Sequence, residues 1–532
     1  MGFFKKIKNM LSFSNQQAEF ELLETENGQP GYFGGWHDES KVAEKQEKKV
    51  SADVKVNEER LKFDFRADIN PDLVIRQFML GGEIPAIAAF LTGMASGESI
   101  NDFILRDGMR RGALHGATTP LCEYAVKHVF TLAETDVELG WDKVTSGIKD
   151  GKTAVFIHGE ACVIMMDTRG FEHRSVSAPQ NEKSVRGPQE GFSENLRTSI
   201  TLIRRIMKTS DLICEIRDAG ADNNIKLAMV YRAGITNQAL VQEVKRRIGK
   251  VSTRMILSAG VMEQLTEENR LSPFPQVLVT ERPDRVVAHV MQGHVAVLLD
   301  GSPFAIVMPI TLHALMASPE DTYLREPQGT VIRTVRYIGA IISVLLPAYF
   351  LAMALHHQGL LSVEVLSTLV SSRKMVFAPL GSEMIFLLVV FQLIREAGLR
   401  VPGSIGQAIG IIGGLILGQA AVTANLASSV VLIIVALSGL GNFCIPDYST
   451  QIAVAIFRLL LVLAAWFGGF LGFTCVLLIL MGWMCSLKSY GVPFLAPFSP
   501  KTYSKYPFIS RGRITQHSRA TDFTNTQEDT AK

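Results

Sequence analysis

None of the six cysteines (Cys122, Cys162, Cys214, Cys444, Cys475, Cys485) stands in a CxxC pair. That removes the usual sequence signs of a zinc site or a redox dithiol, and the scatter predicts reduced thiols with no disulfide framework. The patterns HExxH, GxSxG, GxGxxG and the EF-hand loop are also missing. Their absence excludes the recognisable arrangements for metal-dependent hydrolysis, acyl transfer, dinucleotide binding and calcium binding. Net charge is only +2 over 532 residues, so no global basic surface argues for nucleic acid. The opening MGFFKKIKNMLSFSNQQ has basic residues but no apolar run long enough for a secretory signal. Lys6 stands where N-myristoylation wants Ser or Thr. The nearest approach to a phosphate-binding loop is SGIKDGKT, 146–153, but Ser146 replaces the first glycine and strand-like AVFI follows where a helix should begin. It reads as a turn. No catalytic, cofactor or metal residues are expected, and the chain is not read as an enzyme.

What is present comes in two materials. Residues 1–330 have the charge density of a soluble protein, whereas 334–487 are dominated by Leu, Ile, Val, Ala, Gly and Phe. The predicted class is α+β and multi-domain: a two-lobed α/β N-terminal region followed by a polytopic α-helical membrane domain. The expected divisions are a mostly disordered polar leader (1–60), a first lobe (61–185), a second lobe with a hairpin (186–325), a multi-span domain (330–490) and a polar tail (491–532).

Within the lobes, Leu73–Ile75 opens a strand, and TAVFIHGEACVIMMD reads as two strands about His158-Gly159-Glu160. Phe192, Leu196, Ile200 and Ile203 recur at helical spacing. IKLAMVYRAG predicts a strand, NQALVQEVKRRIGKV an amphipathic helix, and Leu278-Val279 another strand. GHVAVLLDGSPFAIVMP, 293–309, is a hairpin about Asp300-Gly301, since each arm is too short to cross a bilayer as a helix. The segment RGPQEGFSENLRTSITLIRR concentrates Arg186, Glu190, Glu194, Arg197, Arg204 and Arg205. It suits either an ion-paired solvated face or a subunit contact.

Apolar segments are expected as spans over 334–356, 376–394, 404–424 and 427–446, with a last stretch over 450–487. That stretch would be about 57 Å long if wholly helical, which exceeds a hydrocarbon core of about 30 Å. Gly468, Gly469 and Gly472 mark where it would tilt or break. Four to six passes are expected. Arg333/Arg336, Arg395/Arg400 and the basic tail place both termini on the cytoplasmic side, with Arg373-Lys374 as the exception. Glu383, Gln407, Asn425, Asn442, Asp447 and Arg458 lie in or beside these segments, where a polar group must face protein or water. Gly406, Gly410, Gly414 and Gly418 recur at every fourth residue with Gln407 in the same arc, a surface suited to close helix packing. Candidate pore or helix-packing residues are therefore Gly406, Gln407, Gly410, Gly414, Gly418, Glu383 and Asn442.

Six ordered segments carry a resemblance: DLVIRQF (72–78), VRGPQEGFSENLRTSITLIRR (185–205), PFPQVLVTERPDRVV (273–287), DGSPFAIVMP (300–309), LIREAGLRVPGSIGQAIGIIGGLILGQAAV (393–422) and SLKSYGVPFLAPFSP (486–500). Together they resemble the A subunit of the GerA-type spore germination receptors, over about residues 65–500. The resemblance implies a cytoplasmic two-lobed domain, a membrane domain in the spore inner membrane and a homo-oligomer acting as an ion channel. It further implies a transporter-like B subunit that senses nutrient and a lipoprotein C subunit. FLTGMAS (90–96), Ser199 and Gln392 depart from the family pattern, which usually has Asn at the second position and Glu at the third. A paralogous sporulation membrane protein of the same family, or a non-conducting scaffold, are the alternatives. A secondary transporter would call for an internal repeat, and none is legible.

Overall fold

The computed structural model describes residues 49–114, 120–170, 178–179, 181–182, 184–220, 222–251, 253–400, 418–499, 510–511 and 522–526. It opens with α1 (Val54–Asp64), capped by the Asp53 carboxylate on the Lys55 N–H at 2.9 Å. This helix starts inside the stretch expected to be leader. It is tied to the first lobe by the Trp141 indole N–H, which donates to Asp64 at 2.6 Å.

The first lobe holds β1 (Leu73–Leu80), β2 (Ile84–Leu91), α2 (Leu121–His128), β3 (Thr135–Glu138), α3 (Trp141–Lys149), β4 (Thr153–Ile157) and β5 (Val163–Met166). Its sheet runs β1-β2-β4-β5-β3, with every pair antiparallel. The near P-loop is the turn from α3 into β4, as expected. β4 and β5 are buried at every position, and apolar apart from Thr153, because both faces are covered.

The second lobe contains α4 (Leu196–Ile206), β6 (Leu212–Ala219), β7 (Ile225–Arg232), α5 (Gln238–Gly249), α6 (Ala259–Thr266), β8 (Leu278–Thr280), α7 (Pro283–Met291), β9 (Val295–Leu299) and β10 (Ala305–Met308). The expected strands, helix and Asp300-Gly301 hairpin are all present. Its sheet runs β6-β7-β9-β10-β8, again antiparallel. Numbered from the start of each lobe, both orders read first-second-fourth-fifth-third. The lobes thus share one strand order, a repetition in topology that the amino-acid sequence conceals.

The apolar part comprises α8 (Glu326–His356), α9 (Val363–Arg373), α10 (Leu380–Arg400), α11 (Ser429–Phe443) and α12 (Tyr448–Ser486). α9 falls where only a connection was expected. Among the described residues, α8 and α12 are long and apolar enough to cross a bilayer, and α11 is shorter. α12 breaks at Gly469 (φ 56°, ψ −142°), a conformation that only glycine adopts readily. An added Cβ there would lie 2.9 Å from His356. Residues 401–417 lie outside the described part, and 418–423 are helical.

The second lobe and the helices share one continuous apolar core. Phe274, just before β8, packs edge-on to Phe457 of α12 with ring centroids 5.1 Å apart.

Candidate functional site

Buried polar groups in the apolar helices form two nodes, both built on α11. At its start, Ser428 caps the helix and Glu383 of α10 accepts from the Ser428 N–H at 2.6 Å and its hydroxyl at 2.7 Å. The other carboxylate oxygen of Glu383 accepts from Arg373 Nε at 3.2 Å. Glu383 is buried and tethers α9, α10 and α11 to one another. Arg373, the exception to the expected charge topology, is consumed by this pair.

Toward the other end of α11, Arg458 donates to Ser438 Oγ at 3.0 Å, and Ser438 donates to the Ser343 carbonyl of α8 at 2.9 Å. One turn on, Asn442 accepts from Arg395 Nη1 at 2.8 Å and donates to the Gln451 carbonyl at 3.3 Å, in the amide orientation that satisfies both ends. Arg395 and Arg458 are buried, and among the described residues neither has a carboxylate within ion-pair distance. Arg395 is therefore no simple flanking charge. Arg333 and Arg336 are likewise buried, with Arg336 forming a two-pronged pair to Asp321 at 2.8 and 3.0 Å.

Close helix packing by small residues occurs at a crossing that the sequence reading missed. Gly441 of α11 lies against the Gly339 carbonyl of α8 so tightly that a Cβ would collide with it. Gly439 and Gly381 similarly receive Phe391 and Trp466. Of the predicted stripe, Gly406, Gln407, Gly410 and Gly414 lie outside the described residues. Gly418 faces Leu432 of the same chain, where an added Cβ would make ordinary contact at 3.6 Å. Asn425 takes a left-handed turn (φ 55°), and Asp447 caps α12 through the Thr450 N–H at 2.7 Å.

The charged segment around α4 divides. Arg204 is buried and clamps the two lobes together, donating to Asp72 at 2.9 Å and Asn70 at 3.0 Å. Glu190 pairs with Arg205, and both line an inter-lobe cleft of about 790 Å³ with Arg197 and Glu98. Arg186 and Glu194 are exposed, with Glu194 offering its carbonyl to Gly301 N–H at 2.7 Å.

The cysteines need a correction. Cys122 and Cys162 are joined by a disulfide, although 40 residues separate them. The start of α2 and the β4–β5 turn bring them together, a proximity that linear spacing does not encode. Glu160 accepts from the Leu121 N–H at 2.8 Å, and its carboxylate lies beside the two sulfurs.

The sequence profile described as "Bacillus/Clostridium GerA spore germination protein" matches residues 59–522. The chain belongs to this GerA family. It is 31% identical to spore germination protein KA of Bacillus subtilis over 81% of this chain and 79% of that protein. It is also 31% identical to the uncharacterized membrane protein YfkQ of the same organism, over 86% of this chain and 88% of YfkQ. The crystallised N-terminal domain of the A subunit of the Bacillus megaterium germinant receptor GerK3 is 25% identical. It aligns to 49% of this GerA chain and 96% of that domain, with a TM-score of 0.40.

Proposed function

We propose that this GerA protein is the A-type subunit of a nutrient-responsive germinant receptor in the spore inner membrane. In this reading both lobes are cytoplasmic and the apolar helices make four to six passes. Several copies line a cation path that opens when a transporter-like B subunit binds germinant, and a lipoprotein C subunit completes the complex. One observation carries the reading: helices α8–α12, apolar for most of their length, bury Glu383, Arg395, Asn442 and Arg458 among other polar side chains. A passive anchor needs one plain span and has no use for buried ions, which are costly away from water. The family match, continuous through lobes and helices, supplies the setting.

The test is cation flux from liposomes holding the purified chain, alone and with the B and C subunits plus germinant. Flux that requires the intact helical region supports a channel. An oligomer that never conducts, with all partners and ligand present, leaves the scaffold reading instead.

A further inference from the structure

The Cys122–Cys162 disulfide of the first lobe has a third group beside it. Glu160, in the β4–β5 turn, accepts through Oε1 from the Leu121 N–H at 2.8 Å, which satisfies the first amide of α2. That accounts for one carboxylate oxygen. Oε2 lies 3.8 Å from Cys162 Sγ and, among the described residues, has no nitrogen or oxygen donor. The two sulfurs and a Glu160 oxygen all lie within 4.8 Å of one another. Both cysteines are buried and Glu160 is half-buried, while Pro120, Gly159 and Ala161 beside them in the chain are exposed. The cluster is therefore at the edge of the lobe, within reach of solvent.

The turn that carries Glu160 and Cys162 is held by bonds other than the disulfide. His158 N–H donates to the Pro85 carbonyl at 3.0 Å, and Gly159 N–H to the Ala52 carbonyl at 2.9 Å. Cys122 stands in the first turn of α2, where the positive end of the helix dipole favours an anionic sulfur. Zinc binds thiolate sulfur at about 2.3 Å and carboxylate oxygen at about 2.0–2.2 Å, so its tetrahedral ligand atoms stand about 3.6–3.8 Å apart. Glu160 Oε2 and Cys162 Sγ already have that spacing. The Cα atoms of the two cysteines are 6.7 Å apart, which lets side-chain rotation bring the sulfurs to it once their bond opens.

A cytoplasmic lobe shares its compartment with small thiols that reduce disulfides, and that placement rests on the function proposed above. We propose that Cys122, Cys162 and Glu160 form a site for a thiophilic divalent cation such as zinc, which replaces the disulfide when the pair is reduced. In the reduction, two molecules of a small thiol give two electrons and two protons to the Cys122–Cys162 bond and leave as their own disulfide. Both cysteine thiols then lose their protons to solvent as zinc binds the two sulfurs and Glu160 Oε2, with water at the fourth position. Oxidation by a small disulfide runs the other way: the Cys122–Cys162 bond re-forms, the oxidant leaves as two thiolates, and zinc is released. The start of α2 is thus tied to the β4–β5 turn covalently in one state and through metal in the other. It is untied only when reduced and metal-free.

The experiment uses the full chain in detergent, with cobalt(II) as the spectroscopic probe and zinc as its competitor. The reduced native chain should bind cobalt with the charge-transfer and visible bands of a tetrahedral thiolate-ligated ion, and zinc should displace it. The oxidised native chain should show no such bands. Cys122→Ser and Cys162→Ser should abolish them. Glu160→Gln, which keeps an oxygen for the Leu121 N–H, should weaken binding roughly tenfold or more. Cys475→Ser removes an exposed thiol of α12 and should leave the bands unchanged. A measurement on the native chain alone guards against misfolded variants: a small oxidised disulfide added to the zinc-loaded chain should release zinc in step with re-formation of the Cys122–Cys162 bond, read with a colorimetric chelator. Bands absent from the reduced native chain, present in the oxidised one, or undiminished in any of the three site variants would overturn the proposal. A chain that binds zinc but never conducts counts against the channel alone, and one that conducts without binding zinc counts against this site alone.

Discussion

Glu383 on α10 takes both hydrogen-bond donors of Ser428, 45 residues further along the chain. Ser428 in turn caps α11, so the carboxylate sets where that helix begins. The same side chain holds Arg373 at the end of α9. Three helix ends therefore meet on one buried carboxylate.

Substitution of that carboxylate should separate its two tasks. Glu383→Gln keeps an oxygen for Ser428 but loses the ion pair, whereas Glu383→Ala loses both. The alanine variant should be the less stable of the two and cost about 1.5–3 kcal/mol, typical of hydrogen bonds to charged groups. Denaturant melts of the purified chain in detergent decide this. Equal stability of all three proteins would contradict the tether.

The α8–α11 crossing should tolerate no side chain at its centre. Gly441→Ala places a Cβ on the Gly339 backbone, and overpacking of this kind costs about 1–3 kcal/mol. Gly468→Ala, where nothing lies within 4 Å, should not destabilise. Since alanine is the better helix former, comparable losses for both would show that close approach at the crossing does not decide the effect.

Cys122 and Cys162 should resist alkylation in the unreduced, unfolded chain, while Cys214, Cys444, Cys475 and Cys485 react. Reduction should cost the first lobe about 2–4 kcal/mol, the usual range for a crosslink that limits the unfolded state. Peptide mapping with and without reductant reads the first outcome, and melting of the same samples the second.

The contact between α6 and the start of α12 should be sensitive to alkali. Burial, then the negative charges of Glu267 and Asp447, push the Glu263 carboxyl up from 4.5 to about 8. Between those values the unfolded chain gives up its proton while the folded chain keeps it, so stability falls as pH rises through this window. Burial similarly raises Glu267 to about 7. Glu263→Gln should flatten the decline in melting temperature between pH 5 and pH 8. An identical pH profile in the variant would rule Glu263 out as its source.

Local patterning accounts for what was legible in advance. The Asp300-Gly301 turn between β-branched runs predicts the hairpin that is found, and the apolar runs of 334–356, 380–400, 429–443 and 450–486 predict the helices that are found there. The expected span over 427–446 contains α11, and of the tilt or break expected in the last segment a break is found, at Gly469. These features follow from chain neighbours, because turn chemistry, helical period and bilayer length all act over a few residues to a few turns.

Partners distant in sequence required the folded chain. Nothing in the spacing links Cys122 to Cys162, Asp72 to Arg204, or Glu383 to Ser428. The strand order common to both lobes was hidden for the same reason, since each strand needs only an apolar pattern and many sequences meet it. Glycine illustrates the difference most directly. The sequence draws attention to 406–418, where glycines repeat, but close approach depends on which backbone lies opposite, and at Gly441 that is Gly339 of a helix roughly a hundred residues earlier. Composition and period thus determined which segments fold into strands and helices, while the packing of one element on another decided which polar and small residues meet.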